Sequence, residues 1–94
     1  MASGLLIKRF VRLRITTRRE RGATLIQVDG ELLAEGVPEL DTACRSAEGR
    51  IRLDLSNLRS ADAFGIESLR AFAEQGVDLV GASTYIEQLL ARGS

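Results

Sequence analysis

The sequence predicts a single α/β domain, in which a four-stranded mixed β-sheet carries three α-helices mainly on one face, in the order β-β-α-β-α-β-α. Apolar and polar residues alternate in several short runs, a pattern typical of strands with one buried face. Three runs with a helical apolar period lie further along the chain. A length of 94 residues is enough for one hydrophobic core and too short for two domains.

The start of the chain predicts a loose end followed by a hairpin. Residues 1–9 are expected to be a flexible N-terminal end, and residues 10–92 are expected to form the domain. The run VRLRIT, residues 11–16, alternates strictly between apolar and polar side chains and predicts the first strand. Residues 18–22 are charged and end in glycine, so they predict the turn into the second strand.

The second strand and the first helix come next. Residues 24–28 carry apolar side chains on both faces, which favours a central strand, and Asp29-Gly30 is a strong turn dipeptide that closes it. The apolar period then becomes helical, with Pro38 acceptable in the first turn. Cys44 lies on the apolar stripe and is expected in the core. A nucleophilic role is disfavoured because the chain has no histidine to activate the thiol.

The segment 51–69 passes from a strand through a polar turn into the second helix. Apolar and charged residues alternate over 51–55, which predicts a third strand with one buried face. Asp62 stands directly before the helical run 63–74 and is the expected N-cap. Gly65 removes a side chain from the first helical turn, where another backbone or a ligand could come close.

The last part of the chain predicts one more strand and one more helix. Residues 77–80 form the fourth strand, and the third helix begins at Ser83 or Thr84, where Thr84 and Glu87 match a capping box. The β-α-β steps require parallel pairing while the opening hairpin is antiparallel, so the sheet is mixed. The residues predicted in or near the core are Val11, Leu13, Ile15, Ile26, Val28, Leu40, Cys44, Leu53, Leu55, Ile66, Leu69, Leu79, Ile86 and Leu89.

Composition and charge argue against several classes of function. The chain has no histidine and one cysteine, so we expect no metal, no cofactor and no catalytic residue. Basic and acidic residues balance at 13 each, yet seven basic residues and one acidic residue fall within the first 22 positions. Such a basic stretch can bind nucleic acid. We expect no nucleic-acid binding here, because Arg12, Arg14 and Arg52 alternate with apolar residues and suit a solvated sheet face.

The sequence also bears on location. The apolar stretch near the start, residues 5–7, is far shorter than a signal peptide or a membrane span requires. We therefore expect a cytoplasmic protein without direct membrane insertion.

Two short motifs carry a resemblance to a known family. Residues 53–56 read LDLS, and Asp62-Ala63-Phe64-Gly65 has the form Asp-x-x-Gly. With these motifs the chain resembles the STAS domain, the family of bacterial anti-sigma factor antagonists that also occurs in anion transporters and some transporter complexes. The resemblance spans about residues 11–92 and implies the same α/β fold. The family's serine after the aspartate, which a partner kinase phosphorylates, is replaced here by Ala63, so no phosphorylation is expected at this position.

The resemblance implies a non-catalytic protein-interaction module. Its partner would be an anti-sigma factor, a kinase-like protein or an assembly component, bound through the 62–65 loop, the second helix and the turn near Asp29. Phe64 is the expected anchor, and the alternative is that its ring folds back over the core. The expected partner-binding residues are Asp29, Glu31, Asp62, Ala63, Phe64, Gly65, Glu67 and Ser68.

Other hypotheses remain open. The chain could be a structural STAS subunit of a bacterial transporter or other multiprotein assembly, in which permanent contacts need no phosphoserine. Neighbouring genes for a permease and an ATPase would favour that reading, and genes for a sigma factor or an anti-sigma kinase would favour the first. An enzyme is not expected, since there is no Gly-rich phosphate loop and no carboxylate cluster of catalytic spacing. An anion at the helix N-terminus and a weak homodimer are left open.

Overall fold

The computed structural model describes residues 5–9 and 12–92. Within them the chain forms an α/β structure with a mixed sheet and three α-helices, as predicted. The elements, in chain order, are β1 (Leu6–Arg9), β2 (Leu13–Glu20), β3 (Ala23–Leu32), a 3-10 turn (Ala34–Gly36), α1 (Val37–Ser46), β4 (Arg50–Asp54), β5 (Leu58–Ala61), α2 (Ala63–Glu74), β6 (Asp78–Val80) and α3 (Thr84–Arg92).

Strand β3 is the centre of the sheet. The order is β1-β2-β3-β4-β6, and β5 also pairs with β3, beyond the end of β4. The pairs β1–β2 and β2–β3 are antiparallel, whereas β4 and β5 run parallel to β3, and β6 runs parallel to β4. The mixed sheet and the central position of the second predicted strand are therefore confirmed.

The described residues contain six strands rather than the four predicted. Strand β1 lies in the expected N-terminal end and pairs with β2, so the sheet begins before the expected domain start at residue 10. Strand β5 lies in the segment read as a linking loop. Both strands have only four residues, which is too short for a periodic pattern to show. Their strand conformation depends on pairing with residues distant in sequence.

The turn predicted at Asp29-Gly30 is wrong, because β3 continues through it to Leu32. The dipeptide marks instead a shift of register between Gly30 and Glu31, where β5 becomes the neighbour. Gly30 has a φ of 100°, and a Cβ at this position would overlap the carbonyl oxygen of Arg12. Glycine is thus needed for backbone conformation and close approach, but within a strand rather than at a hairpin tip.

Two smaller corrections concern element ends. Strand β2 extends to Glu20, so the hairpin turn predicted over residues 18–22 is confined to Arg21 and Gly22. The N-cap of α3 is Ser83, whose Oγ accepts a hydrogen bond from the amide of Ile86 at 3.2 Å. The capping box predicted at Thr84 and Glu87 is therefore wrong, since Thr84 is already the first helical residue.

The hydrophobic core lies between the sheet and the helices, and the predicted core set is confirmed within the described residues. Leu79 and Leu89 are partly buried against it, and the rest are buried. Val11 lies outside the described residues. Four buried hydrophobic residues were not predicted, and they lie in the unpredicted part of β3, in β5 and around the end of α2: Leu32, Leu58, Phe72 and Val77.

Candidate functional site

Asp62 joins three segments of the chain at the point where β5 leads into α2. Its Oδ1 accepts a hydrogen bond from the amide of Gly65 at 2.9 Å, as an N-cap does. Its Oδ2 accepts a hydrogen bond from the amide of Ala34 at 2.9 Å, and its own amide donates to the carbonyl oxygen of Leu32 at 3.2 Å. The predicted N-cap is confirmed, and the same carboxylate also holds the 3-10 turn.

Gly65 allows α2 to pack closely on the end of β3. The residue is buried, and a Cβ at this position would overlap the carbonyl oxygen of Leu32. It would also lie 3.1 Å from the Cβ of Ala61. The predicted close approach is thus with the chain's own backbone, so Gly65 itself presents little surface to a partner.

Phe64 lies between these two fixed residues and points into solvent. Its exposed fraction is 67%, the largest among the big apolar side chains of the described residues. The alternative that its ring folds back over the core is therefore wrong. Ala63, the first residue of α2, is exposed beside it. The helix start thus presents an aromatic ring and a methyl group on a firmly held backbone.

In the second turn of α2, one side chain is exposed to solvent and another is hydrogen-bonded to the helix backbone. Glu67 is exposed and forms an ion pair with Arg70 at 3.2 Å. Ser68 is half-buried, and its hydroxyl donates to the carbonyl oxygen of Gly65 at 2.8 Å. Of the two, only Glu67 extends the exposed surface around Phe64.

The remaining predicted site residues, Asp29 and Glu31, lie on β3 and not in a turn. Asp29 is only 9% exposed. Its Oδ2 accepts from Nε and Nη2 of Arg14 at 3.1 and 2.8 Å, and its Oδ1 accepts from Nε2 of Gln27 at 3.1 Å. Glu31 is half-buried, with its Oε1 3.5 Å from Nη1 of Arg12. These carboxylates pair with Arg14 of β2 and with Arg12 just before it, and Asp29 offers almost no surface to a partner.

Two further residues around α2 have roles that the sequence did not predict. Glu35 is exposed and follows Ala34, whose amide is bound by Asp62, so it lies close to the start of α2. Arg70 donates to the carbonyl oxygens of Leu89 and Leu90 at 3.0 and 2.9 Å and so links α2 to α3. Neither role has a local sequence signal, because each depends on contacts between distant segments.

Cys44 is a buried residue of α1, as predicted, with 8% of its surface exposed. Burial raises the pKa of its thiol to about 11, and the nearby negative charge of Asp41 adds to the effect. The thiol is therefore neutral near pH 7 and is a poor nucleophile.

The described residues, 5–9 and 12–92, also bear on metal binding and on membrane insertion. No group of three or more histidine, cysteine, aspartate or glutamate side chains in this part of the chain is arranged to hold a metal ion. No helix among the same residues has the length and apolar character needed to cross a membrane.

Comparisons with known proteins bear on the fold. No protein-family model matches the sequence, and no curated protein matches it. Among solved structures, the chain is similar to an antisigma-factor antagonist, a STAS domain from Rhodobacter sphaeroides, with a TM-score of 0.62 and 23% sequence identity. The match covers 79% of this chain and 95% of the other. It confirms what the LDLS and Asp-x-x-Gly motifs implied: the chain has the fold of a STAS domain.

Proposed function

We propose that this chain is a non-catalytic protein-interaction module that binds a regulatory protein partner through the start of α2. The docking surface consists of Ala63, Phe64 and Glu67, and Glu35 extends it on the side of the 3-10 turn. The exposed ring of Phe64 is the observation that carries the proposal. The similar solved structure is described as an antisigma-factor antagonist, which supports a partner in transcription control.

The energetics of the Phe64 ring favour a partner. Burying a large apolar side chain contributes about 1.5–3 kcal/mol, so a ring left in solvent at a helix start is a ready interface anchor. Asp62 and Gly65 fix the backbone on both sides of it through the contacts described above. Little backbone conformational entropy then remains to be lost when a partner covers the ring, which favours binding.

The proposed interaction needs no serine phosphorylation switch. Ala63 is exposed at the first helical position and has no hydroxyl group. The nearest serines are poor substitutes, since Ser60 is half-buried in β5 and Ser68 uses its hydroxyl in a bond to the helix backbone. The partner is therefore bound constitutively, in the cytoplasm expected from the sequence.

A second candidate is a structural STAS subunit of a transporter or another assembly. The exposed methyl group of Ala63 favours it, because a permanent contact has no need of a phosphate acceptor. The two candidates use the same docking surface and differ in the partner. A permease or ATPase bound at one copy per chain indicates the structural subunit, and an anti-sigma factor or kinase indicates the regulator.

The test compares two exposed aromatic residues at matched positions. Phe64 is the second residue of α2 and Tyr85 is the second residue of α3, with 67% and 53% of their surfaces exposed. Affinity-tagged native chain, Phe64→Ser and Tyr85→Ser are expressed in the source cells, and the co-purified proteins are quantified. We expect one partner to be captured by the native chain and by Tyr85→Ser, and to be lost from Phe64→Ser at an unchanged melting temperature. Equal capture by all three chains would contradict the proposal.

A further inference from the structure

An open groove lies in the sheet where β3 changes its parallel neighbour. Residues 23–27 of β3 pair with β4, and residues 30–32 pair with β5. Ser56 and Asn57, in the connection between β4 and β5, line one side of the groove. The groove has a volume of about 800 Å³, within the range of roughly 300–1,000 Å³ usual for small-molecule sites. In open α/β sheets, ligands bind outside the carboxyl ends of strands where the strand order changes.

The lining of the groove is rich in positive charge. Its lining residues include three arginines, Arg12, Arg14 and Arg59, and one acidic residue, Asp29. Arg14 and Asp29 form a close ion pair at 2.8 Å and largely neutralise each other. Arg12 is held only by the long contact to Glu31 at 3.5 Å, a kind of exposed pair that contributes little. Arg59 is exposed, and within the described residues it takes part in no ion pair.

The walls of the groove are held by backbone contacts. The amide of Gly30 donates to the carbonyl oxygen of Asn57 at 3.0 Å, and the amide of Glu31 donates to that of Arg12 at 2.8 Å. The amide of Ser56 donates to Oδ1 of Asp54 at 2.9 Å. Gly30, which lines the groove, has no side chain to enter it. The arginines therefore stand around a preformed polar space.

We propose that this groove binds a small oxyanion, the phosphate or carboxylate group of a soluble ligand. Arg59 and Arg12 bind its charge, because the planar guanidinium fork matches the geometry of such groups. Asn57 lines the same space, and its side-chain amide provides neutral hydrogen-bond donors. Ser56 also lines it, but its amide and hydroxyl both donate to Oδ1 of Asp54. This binding site is distinct from the docking surface around Phe64, and its occupancy does not depend on the proposed protein partner.

The test is an NMR titration of the native chain, followed through its backbone amides. Sodium phosphate and sodium succinate are added separately, with sodium chloride at equal ionic strength as the control. We expect saturable shifts at Gly30, Ser56 and Asn57, with a Kd of about 1 mM. Saturation by phosphate alone assigns a phosphate ligand, saturation by succinate alone assigns a carboxylate ligand, and saturation by both assigns a general oxyanion site. Each of the three results supports the proposal.

Two exposed arginines supply the matched variants. Arg59→Gln removes a charge from the groove, whereas Arg52→Gln removes one from β4 outside it. We expect Arg59→Gln to weaken binding by about tenfold, because one charge-assisted contact is lost. Arg52→Gln should leave binding unchanged. Both variants should keep the native melting temperature. The proposal is overturned if neither anion shifts these amides beyond chloride, if the shifts lie elsewhere, or if Arg59→Gln binds no more weakly than Arg52→Gln.

Discussion

At position 65 we expect glycine to be more stabilising than alanine, although glycine has the lower helix propensity. In an ordinary helix interior, alanine is more stable than glycine by about 1 kcal/mol. Here a Cβ would overlap the carbonyl oxygen of Leu32, and a backbone atom cannot move aside as a flexible side chain can. The steric cost of a Cβ at position 65 is therefore expected to exceed the gain in helix propensity from alanine.

We predict that Gly65→Ala lowers the free energy of unfolding by about 1–3 kcal/mol, as overpacked substitutions do. Urea denaturation followed by circular dichroism measures this change. Ala63→Gly, at the exposed start of the same helix, is the control and should cost less than about 1 kcal/mol. A more stable Gly65→Ala variant would show that α2 does not approach β3 as described.

The thiol of Cys44 gives a prediction about alkaline pH. Its pKa in the folded state is about 11, above its ordinary value of 9.0, so the folded state holds the thiol proton more tightly than the unfolded state. This contribution to stability is fully present below about pH 9 and is lost as the pH rises towards 11. We predict that the native chain loses stability between pH 9 and pH 11 more steeply than Cys44→Ala, in parallel urea titrations. Equal slopes for the two chains would contradict the burial of the thiol.

At the scale of elements, Arg70 holds α3 to α2. Its guanidinium binds the carbonyl oxygens of Leu89 and Leu90, which lie near the end of α3. Its side chain also pairs with Glu67. The last turn of α3 should therefore depend on this one side chain.

We predict that Arg70→Met, which keeps the aliphatic stem, increases amide hydrogen exchange in α3 by at least about fivefold while β3 and β4 stay protected. The reason is that two carbonyl groups lose a charged donor, a bond worth about 1.5–3 kcal/mol. Glu67→Gln, which removes only the exposed ion pair, is the control and should leave exchange nearly unchanged. Faster exchange throughout the sheet would mean that Arg70 has a global role instead.

The elements also show what the sequence can predict. Strand β4 and helix α2 follow from local periodicity, and the N-cap at Asp62 follows from residue type and position. By contrast, β5 and the continuation of β3 beyond Asp29 depend on pairing between segments some 28 residues apart. At the site, the cap and the glycine were predictable from local pattern. The exposure of Phe64 and the second bond of Asp62 were not, since both depend on where distant segments pack.

For the molecule as a whole, three arginines from the basic start of the sequence form ion pairs with acidic residues that come later. The basic residues of the first strands face acidic residues that come later, in the pairs Arg12–Glu31, Arg14–Asp29 and Arg19–Glu48. Arg14 and Arg19 are therefore held by close ion pairs, whereas Arg12 has the longer contact of 3.5 Å. The absence of nucleic-acid binding by Arg12, Arg14 and Arg52 stays a prediction.

Because Ala63 has no hydroxyl group, we expect no switch by serine phosphorylation at this position. We predict that incubation with the partner kinase, if the partner is a kinase, leaves the intact mass of the native chain unchanged. Ala63→Ser should gain one phosphate, because the exposed first position of α2 is then able to accept it. One phosphate per native chain would contradict constitutive binding.

The central claim is that a protein partner covers Phe64, and site-specific photo-crosslinking tests it most directly. A benzophenone amino acid is introduced at position 64 or, as the control, at position 85, and the cells are irradiated. The account predicts one discrete covalent adduct at position 64, identified by mass spectrometry, and none of the same mass at position 85. No adduct at position 64, or the same adduct at both positions, would contradict it.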